Sequence, residues 1–255
     1  VPGPVQSIQR GAAILRLLAR SSGRLGVGEI ATSLGLARGT AHGLLRTLQL
    51  VGFVEQDEVT GKYQLGATLL HLGTSYLDVN ELRSRAINWA DALAARSGEA
   101  VRIGTFLDGQ ILVVHHVFRP DDTLQTLDVG TLLPMHATAL GKVLLAYDVS
   151  ATAALGDGPL EAFTRRTIVT PKALTRGLTS IREVGWAVEI EEMTIGEASI
   201  AAPIRGHGGL VVGAIGISGA VERICDTKGQ PNAALVTFVR DAARAVSRDL
   251  GASRW

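Results

Sequence analysis

Only one cysteine, Cys225, occurs in 255 residues. An internal disulfide and a multi-cysteine zinc site are therefore excluded, and stability has to come from packing. No apolar run approaches the roughly 20 residues that a membrane span needs. The opening residues Val1-Pro-Gly-Pro-Val-Gln6 lack the basic-then-apolar layout of a secretory leader, so a cytoplasmic protein without a membrane partner is expected. Phosphate-loop and nucleophile-elbow patterns are missing too. Gly61-Lys62 runs into Tyr63, Gly141-Lys142 runs into Val143, and Gly216-Ile-Ser-Gly219 is followed by no acid–histidine pair. His115 and His116 alternate faces of a strand and cannot share a metal, while His136, His207 and Glu189/Glu191/Glu192 have no ligand spacing. Cys225 reads as a plain loop or core residue. The expectation is no catalytic residue, no metal and no cofactor.

What is present is 46% hydrophobic residues and a net charge of +1, over a length suited to one large or two ordinary domains. The charge is unevenly spread. Residues 1–50 hold six arginines (Arg10, Arg16, Arg20, Arg24, Arg38, Arg46) against Glu29 alone, a balance of +5, and the remaining 205 residues sum to −4. Such asymmetry suits a first segment that meets a polyanion and a second that does not.

The basic segment patterns as a winged helix. A helix from an N-cap at Ser7 to about Arg20 would turn Ile8, Gly11/Ala12, Leu15 and Leu18/Ala19 inward. A short helix over about Gly28–Leu34 would bury Ile30 and Leu34 and stop at Gly35. A third helix over about Ala37–Leu50 has Ala37, Ala41, Leu44, Leu45 and Leu48 on one arc, with Arg38, His42, Arg46 and Gln49 beside it. Gly39 and Gly43 would each weaken that helix by roughly 1 kcal/mol against alanine, which close approach to a DNA backbone would justify. Two strands around Thr60-Gly61 form a wing with Val54 and Tyr63/Leu65 inward. Arg38, Thr40, His42 and Arg46 are candidates for the major groove of double-stranded DNA, and Thr47 and Lys62 for its phosphates. Glu55, Asp57 and Glu58 make the first wing strand acidic, which argues against a deep minor-groove role.

Beyond Gly66 the pattern is helical to about Arg96, then a hairpin about Asp108-Gly109, a strand over Leu124–Val129 and a helix over Ala137–Tyr147. After a loop at Gly156-Asp-Gly-Pro come a helix near Leu174–Val184, strands at Trp186–Ile190, Ala198–Ile204 and Leu210–Ser218, and a closing helix over about Ala233–Leu250. This is an α+β domain. Thr138 is a candidate N-cap that opens the amides of Ala139, Leu140 and Gly141 toward a carboxylate or phosphate. Ser199 and Ser218 lie on apolar strands, where a hydroxyl is either internally satisfied or offered to a ligand.

The stretches Val27–Leu48, Tyr63-Gln-Leu-Gly66, His136-Ala-Thr-Ala-Leu-Gly-Lys-Val-Leu-Leu-Ala146 and Ile215-Gly-Ile-Ser-Gly219 resemble those of the IclR family of transcriptional regulators, in order and over nearly the whole chain. The resemblance implies a winged helix-turn-helix domain at 1–66, a linker helix at 67–80 and a GAF-like α+β effector-binding domain at 81–255. It also implies a homodimer or dimer of dimers on a palindromic operator, most simply as a repressor. Family effector positions fall on Ala139, Leu140, Glu189, Ser199, Gly216 and Ser218. Some members that bind small carboxylates carry an aspartate and a cysteine where this chain has Glu189 and Ser199, and Gly216 stands at a family serine position. Ser75-Tyr-Leu-Asp-Val79, Val114–Asp122 and Ala245–Gly251 are similar to the branch of the family that governs glycerol use, which implies glycerol or glycerol 3-phosphate as effector. A neutral triol would want acceptors such as Glu189. A phosphate would want the helix-start amides and a cation, Lys142 or Arg102. A small carboxylate from another carbon-source pathway, and an enzyme built on the same pocket, are the competing readings.

Overall fold

The computed structural model describes residues 3–21, 23–79, 81–121, 124–148, 151–152, 155 and 158–252, with side chains of all of these except 74–79. The chain divides into two compact units, Val1–Val79 and Asn80–Trp255.

The first unit comprises α1 (Gln6–Arg20), α2 (Val27–Ser33), α3 (Arg38–Leu50), the two-stranded wing β1 (Val54–Gln56) and β2 (Tyr63–Leu65), and α4 (Thr68–Val79). Its core is Ile14, Leu18, Ile30, Leu45, Val54 and Tyr63, each of which contributes about 1.5–3 kcal/mol on burial. Three expectations fail here, wholly or in part. Helix α1 starts a residue earlier than Ser7, with Val5 at the cap position, because the amides of Ile8 and Gln9 both bond to the Val5 carbonyl. Its inward face is Gly11, Ile14 and Leu18: Gly11 and Leu18 are inward as expected, Ile14 is an addition, Leu15 is half-buried, and Ile8, Ala12 and Ala19 are exposed. Of the wing pair, Tyr63 is buried and Leu65 is not. Gly35 takes the left-handed conformation (φ +62°) that ends α2.

The second unit is built on a six-stranded antiparallel sheet in the order β5-β4-β3-β8-β7-β6. The strands are β3 (Ala100–Leu107), β4 (Gln110–Val117), β5 (Leu132–Pro134), β6 (Ala187–Ile190), β7 (Glu197–Arg205) and β8 (Val211–Ala220). Helices α5 (Glu81–Ser97) and α8 (Ala233–Asp249) pack against each other and against the sheet. Helices α6 (Ala139–Tyr147) and α7 (Pro171–Val184) share a core with Ala187, Ala201 and Ala214.

Leu124–Val129 is not a strand. The ladder to β4 begins only at Gly130 and Thr131, which exchange backbone bonds with Val113, and the strand proper is Leu132–Pro134. Leu124 and Leu127 are exposed, so their apolar spacing buries nothing. The 66–96 helical stretch is two helices, α4 and α5. Helix α7 starts at Pro171, a residue suited to the first turn because its missing N–H has no partner there anyway. Positions 156 and 157 of the expected loop lie outside the described residues.

Candidate functional site

Two surfaces meet the chemical requirements set out above. The first is the outer face of α3. Ala41 and Leu45 are fully buried, Leu44 and Leu48 are half-buried, and Arg38, Gly39, Thr40, His42, Gly43, Arg46 and Thr47 are all exposed. Ala37 is exposed at the cap position, a weak cap that leaves the first amides of α3 without a side-chain acceptor. A Cβ added at Gly39 or Gly43 would meet nothing within 4 Å, so nothing within the unit requires glycine there. Thr47 Oγ1 donates to the Gly43 carbonyl (3.1 Å). Lys62 is exposed at the wing. The wing acids are largely held by internal partners: Asp57 pairs with Arg24 and accepts from Thr60, and Glu55 accepts from the Ala67 amide (3.1 Å). The Thr60 hydroxyl and amide, more than Arg24, hold the Asp57 carboxyl below its ordinary pKa. Glu29, the lone acid of residues 1–50, accepts from the Gly26 amide (2.6 Å) at the start of α2.

The second is a cavity of about 180 Å³ in the second unit. Sheet register explains its lining. Glu189, Ser199, Ser218 and Ala100 are direct cross-strand partners on β6, β7, β8 and β3, and Arg102 faces Gly216, which faces Ala201, one pleat along. Side chains two residues apart share a face, so Glu189, Ser199, Ser218 and Arg102 project together. The start of α6 closes the space with Thr138, Ala139 and Leu140. Thr138 is the N-cap: its Oγ1 accepts from the Gly141 amide (3.1 Å) and donates to the Pro134 carbonyl (2.8 Å). Gly216 is required by space, since a Cβ there would lie 2.6 Å from the Ile200 carbonyl oxygen and 2.9 Å from Ala201 Cβ.

Charge within the cavity is held by partners. Glu189 is 4% exposed; its Oε1 accepts from the Glu192 and Met193 amides (2.6 and 3.2 Å) and its Oε2 from Ser199 Oγ (2.9 Å). Burial nonetheless pushes its carboxyl above the ordinary glutamate range. Glu191, which precedes those two amides in the same turn, takes a left-handed backbone (φ +57°) that is costly for a residue with a side chain. Arg102 Nε donates to Asp128 (2.6 Å) and its Nη1 donates to Ser218 Oγ. The Asp128 amide in turn donates to Nδ1 of buried His116 (3.1 Å), which fixes the ring proton on Nε2. Burial, then the Arg102 charge, lowers the His116 pKa.

Seven of the eight expected effector residues line this cavity: Thr138, Ala139, Leu140, Glu189, Ser199, Gly216 and Ser218. Gly141 does not. A Cβ on it would lie 2.1 Å from the Met135 carbonyl oxygen, so it is a packing glycine under the helix. Lys142, offered above as a cation for a phosphate, is 5% exposed, ion-paired with Glu192 and outside the cavity wall, which leaves Arg102 in that place. Asp128 and Glu197, which also line it, carry no sequence motif; their position follows from the fold alone. No group of three or more His, Cys, Asp or Glu side chains suited to a metal occurs among the described residues. Cys225 is buried, and burial raises its thiol pKa, so it is a poor nucleophile. No described helix is long and apolar enough to cross a membrane.

A helix-turn-helix with an exposed basic helix, in one chain with a sensor-like unit whose cavity carries several polar side chains, defines a ligand-responsive DNA-binding architecture. Residues 7–58 match the IclR helix-turn-helix domain and residues 74–248 the bacterial transcriptional regulator IclR C-terminal domain, and the chain belongs to the IclR family. It is a DNA-binding transcriptional regulator and not an enzyme. It is 55% identical over 251 residues to the glycerol operon regulatory protein of Streptomyces coelicolor, with 98% of each chain covered. It is 52% identical to the protein of the same description from Streptomyces griseus, again over 98% of each. Among solved structures, the IclR transcriptional regulator from Alicyclobacillus acidocaldarius superposes with a TM-score of 0.82 at 27% identity, covering 96% of this chain and 99% of that one.

Proposed function

We propose that this chain represses a glycerol-utilisation operon in the cytoplasm, and that a small polar metabolite, glycerol or glycerol 3-phosphate, binds the cavity and relieves repression. The observation that carries the reading is the row Glu189–Ser199–Ser218 with Arg102 beside it, closed by the N-terminus of α6. These groups offer a carboxylate acceptor, two hydroxyls and a guanidinium within a volume of about 180 Å³, suited to a compact hydroxylated molecule. Arg38, Gly39, Thr40, His42, Gly43 and Arg46 read a palindromic operator in the major groove, with Thr47 and Lys62 on phosphates, as a homodimer or dimer of dimers. The relatives' description as glycerol operon regulatory proteins supports the choice of pathway.

Effector binding works by selecting a conformation whose paired recognition helices no longer match the half-site spacing. A hundredfold loss of operator affinity requires about 2.8 kcal/mol of differential effector binding between the two conformations. A second reading, a small carboxylate as effector, is favoured by Arg102, which could exchange Asp128 for a ligand carboxylate. Calorimetry of the full chain against glycerol, glycerol 3-phosphate and a small 2-oxo acid separates these. Heat with one of the first two supports the glycerol reading, heat with the oxo acid alone replaces it, and no heat with any removes the metabolite class.

A further inference from the structure

Four arginines converge on a second cleft of about 220 Å³, which shares no lining residue with the cavity and is lined by Arg182 of α7, Arg205 of β7, and Arg240 and Arg244 of α8, with Tyr147 and one carboxylate, Glu183. Two of the guanidinium groups are fixed in place. Arg205 lies over the Tyr147 ring (4.9 Å to the centroid) and its Nη1 donates to the Gly209 carbonyl (2.9 Å). Arg182 Nε donates to the Ala146 carbonyl (2.5 Å) at the end of α6. Each of these anchors engages one donor of five and neutralises no charge. Among the described residues, none of Arg182, Arg205 and Arg240 is within ion-pair distance of a carboxylate. Arg240 and Arg244 stand four apart on one helix, where like charges repel and weaken the helix that carries them.

Four arginines to one acid, on a unit whose charges nearly cancel at −1 over residues 80–255, form a concentrated positive site with donors fixed at Arg182 and Arg205. We propose that this cleft binds the phosphate group of a small phosphorylated metabolite. A phosphomonoester carries nearly two negative charges at pH 7 and three acceptor oxygens, which suits several planar guanidinium forks better than a monocarboxylate does. Donors held in advance by Tyr147, Gly209 and Ala146 lower the ordering cost of binding. The cleft's size fits one phosphate with a short carbon chain. A DNA backbone would instead engage a line of cations.

The test is calorimetry and thermal melting of the full chain in chloride buffer at fixed ionic strength, with inorganic phosphate and glycerol 3-phosphate as probes. The expected result is binding of both, weakened at least tenfold by Arg240→Ala combined with Arg244→Ala, partly restored when the pair is Arg240→Lys and Arg244→Lys, with operator affinity unchanged. On α8 Arg244 is exposed and Arg240 half-buried, and the melting temperature without ligand checks that the variants fold. The proposal is overturned if neither probe binds at millimolar concentration, or if Arg102→Ala abolishes inorganic phosphate binding while the double variant does not. A fall in operator affinity with the double variant, without phosphate binding, would assign this face to DNA and equally overturn it.

Discussion

The two units handle charge in opposite ways. In the first, three acids are tied to internal partners, Glu29 to an amide, Asp57 to Arg24 and Glu55 to the Ala67 amide, while Arg38, His42 and Arg46 stand exposed on α3. In the second, Glu189 is buried against two amides and a hydroxyl, and Arg102 is held by Asp128 and Ser218. Exposed unneutralised cations give long-range, salt-sensitive attraction to a polyanion; buried satisfied groups give short-range selection of a shape and hydrogen-bond pattern. A regulator needs both, and placing them in separate units lets each be disturbed without the other.

The largest expected effect tests the exposed side of that contrast. Arg38→Ala combined with Arg46→Ala is expected to lower operator affinity about a hundredfold or more, at about 1–3 kcal/mol for each lost base contact, and to leave effector heats unchanged. Fluorescence anisotropy on the region upstream of the operon measures the first and calorimetry the second. Next is Gly141→Ala, which forces a Cβ into the Met135 backbone and should destabilise the second unit by about 1–3 kcal/mol, seen as a drop in its melting transition.

Glu189→Gln sharpens the buried side. The folded carboxyl holds its proton to a higher pH than in the unfolded chain, so folding gains as pH falls through that range and loses as pH rises through the raised value. Removing the charge should therefore stabilise the unit at pH 7, seen as a higher melting temperature, and the advantage over the parent should vanish on acidification. His116 works in the opposite direction. Its folded pKa lies below the unfolded value, so acidification below about pH 6.5 costs stability as the ring takes up a proton and its Nδ1 ceases to accept from Asp128. Comparing Glu189→Gln with the parent at each pH separates the two contributions. The smallest effect is Gly39→Ala, which should stabilise α3 by up to about 1 kcal/mol while weakening operator binding; tighter binding would remove the close-approach explanation for that glycine.

The winged helix was legible because its signals are local. Ala41, Leu44, Leu45 and Leu48 recur at helical spacing within one turn or two of each other, and the exposed residues follow from the same period. The cap of α6 at Thr138 was legible for the same reason. Thr138, Ser199 and Ser218 stood out one by one, but their convergence was legible only through family resemblance, because Glu189, Ser199, Ser218 and Ala100 become neighbours through strand pairing, and register between distant strands leaves no trace in local periodicity. Asp128 was missed altogether. It sits in a segment whose apolar spacing suggested a strand, yet the segment is held by the side chains of His116 and Arg102 instead of by ladder bonds. Lys142 was misjudged because its partner Glu192 is 50 residues away and no pattern announces the pairing.

Under the proposed function, a ligand in the Glu189–Ser199–Ser218–Arg102 cavity controls DNA binding through α3. Operator affinity of the full chain, titrated with glycerol and with glycerol 3-phosphate for the parent and for Glu189→Gln, tests it most directly. The expected outcome is equal affinity without ligand, release of the parent by one of the two compounds, and release of the variant only at a concentration at least about tenfold higher. Equal release of both proteins, or release of neither by either compound, would contradict it.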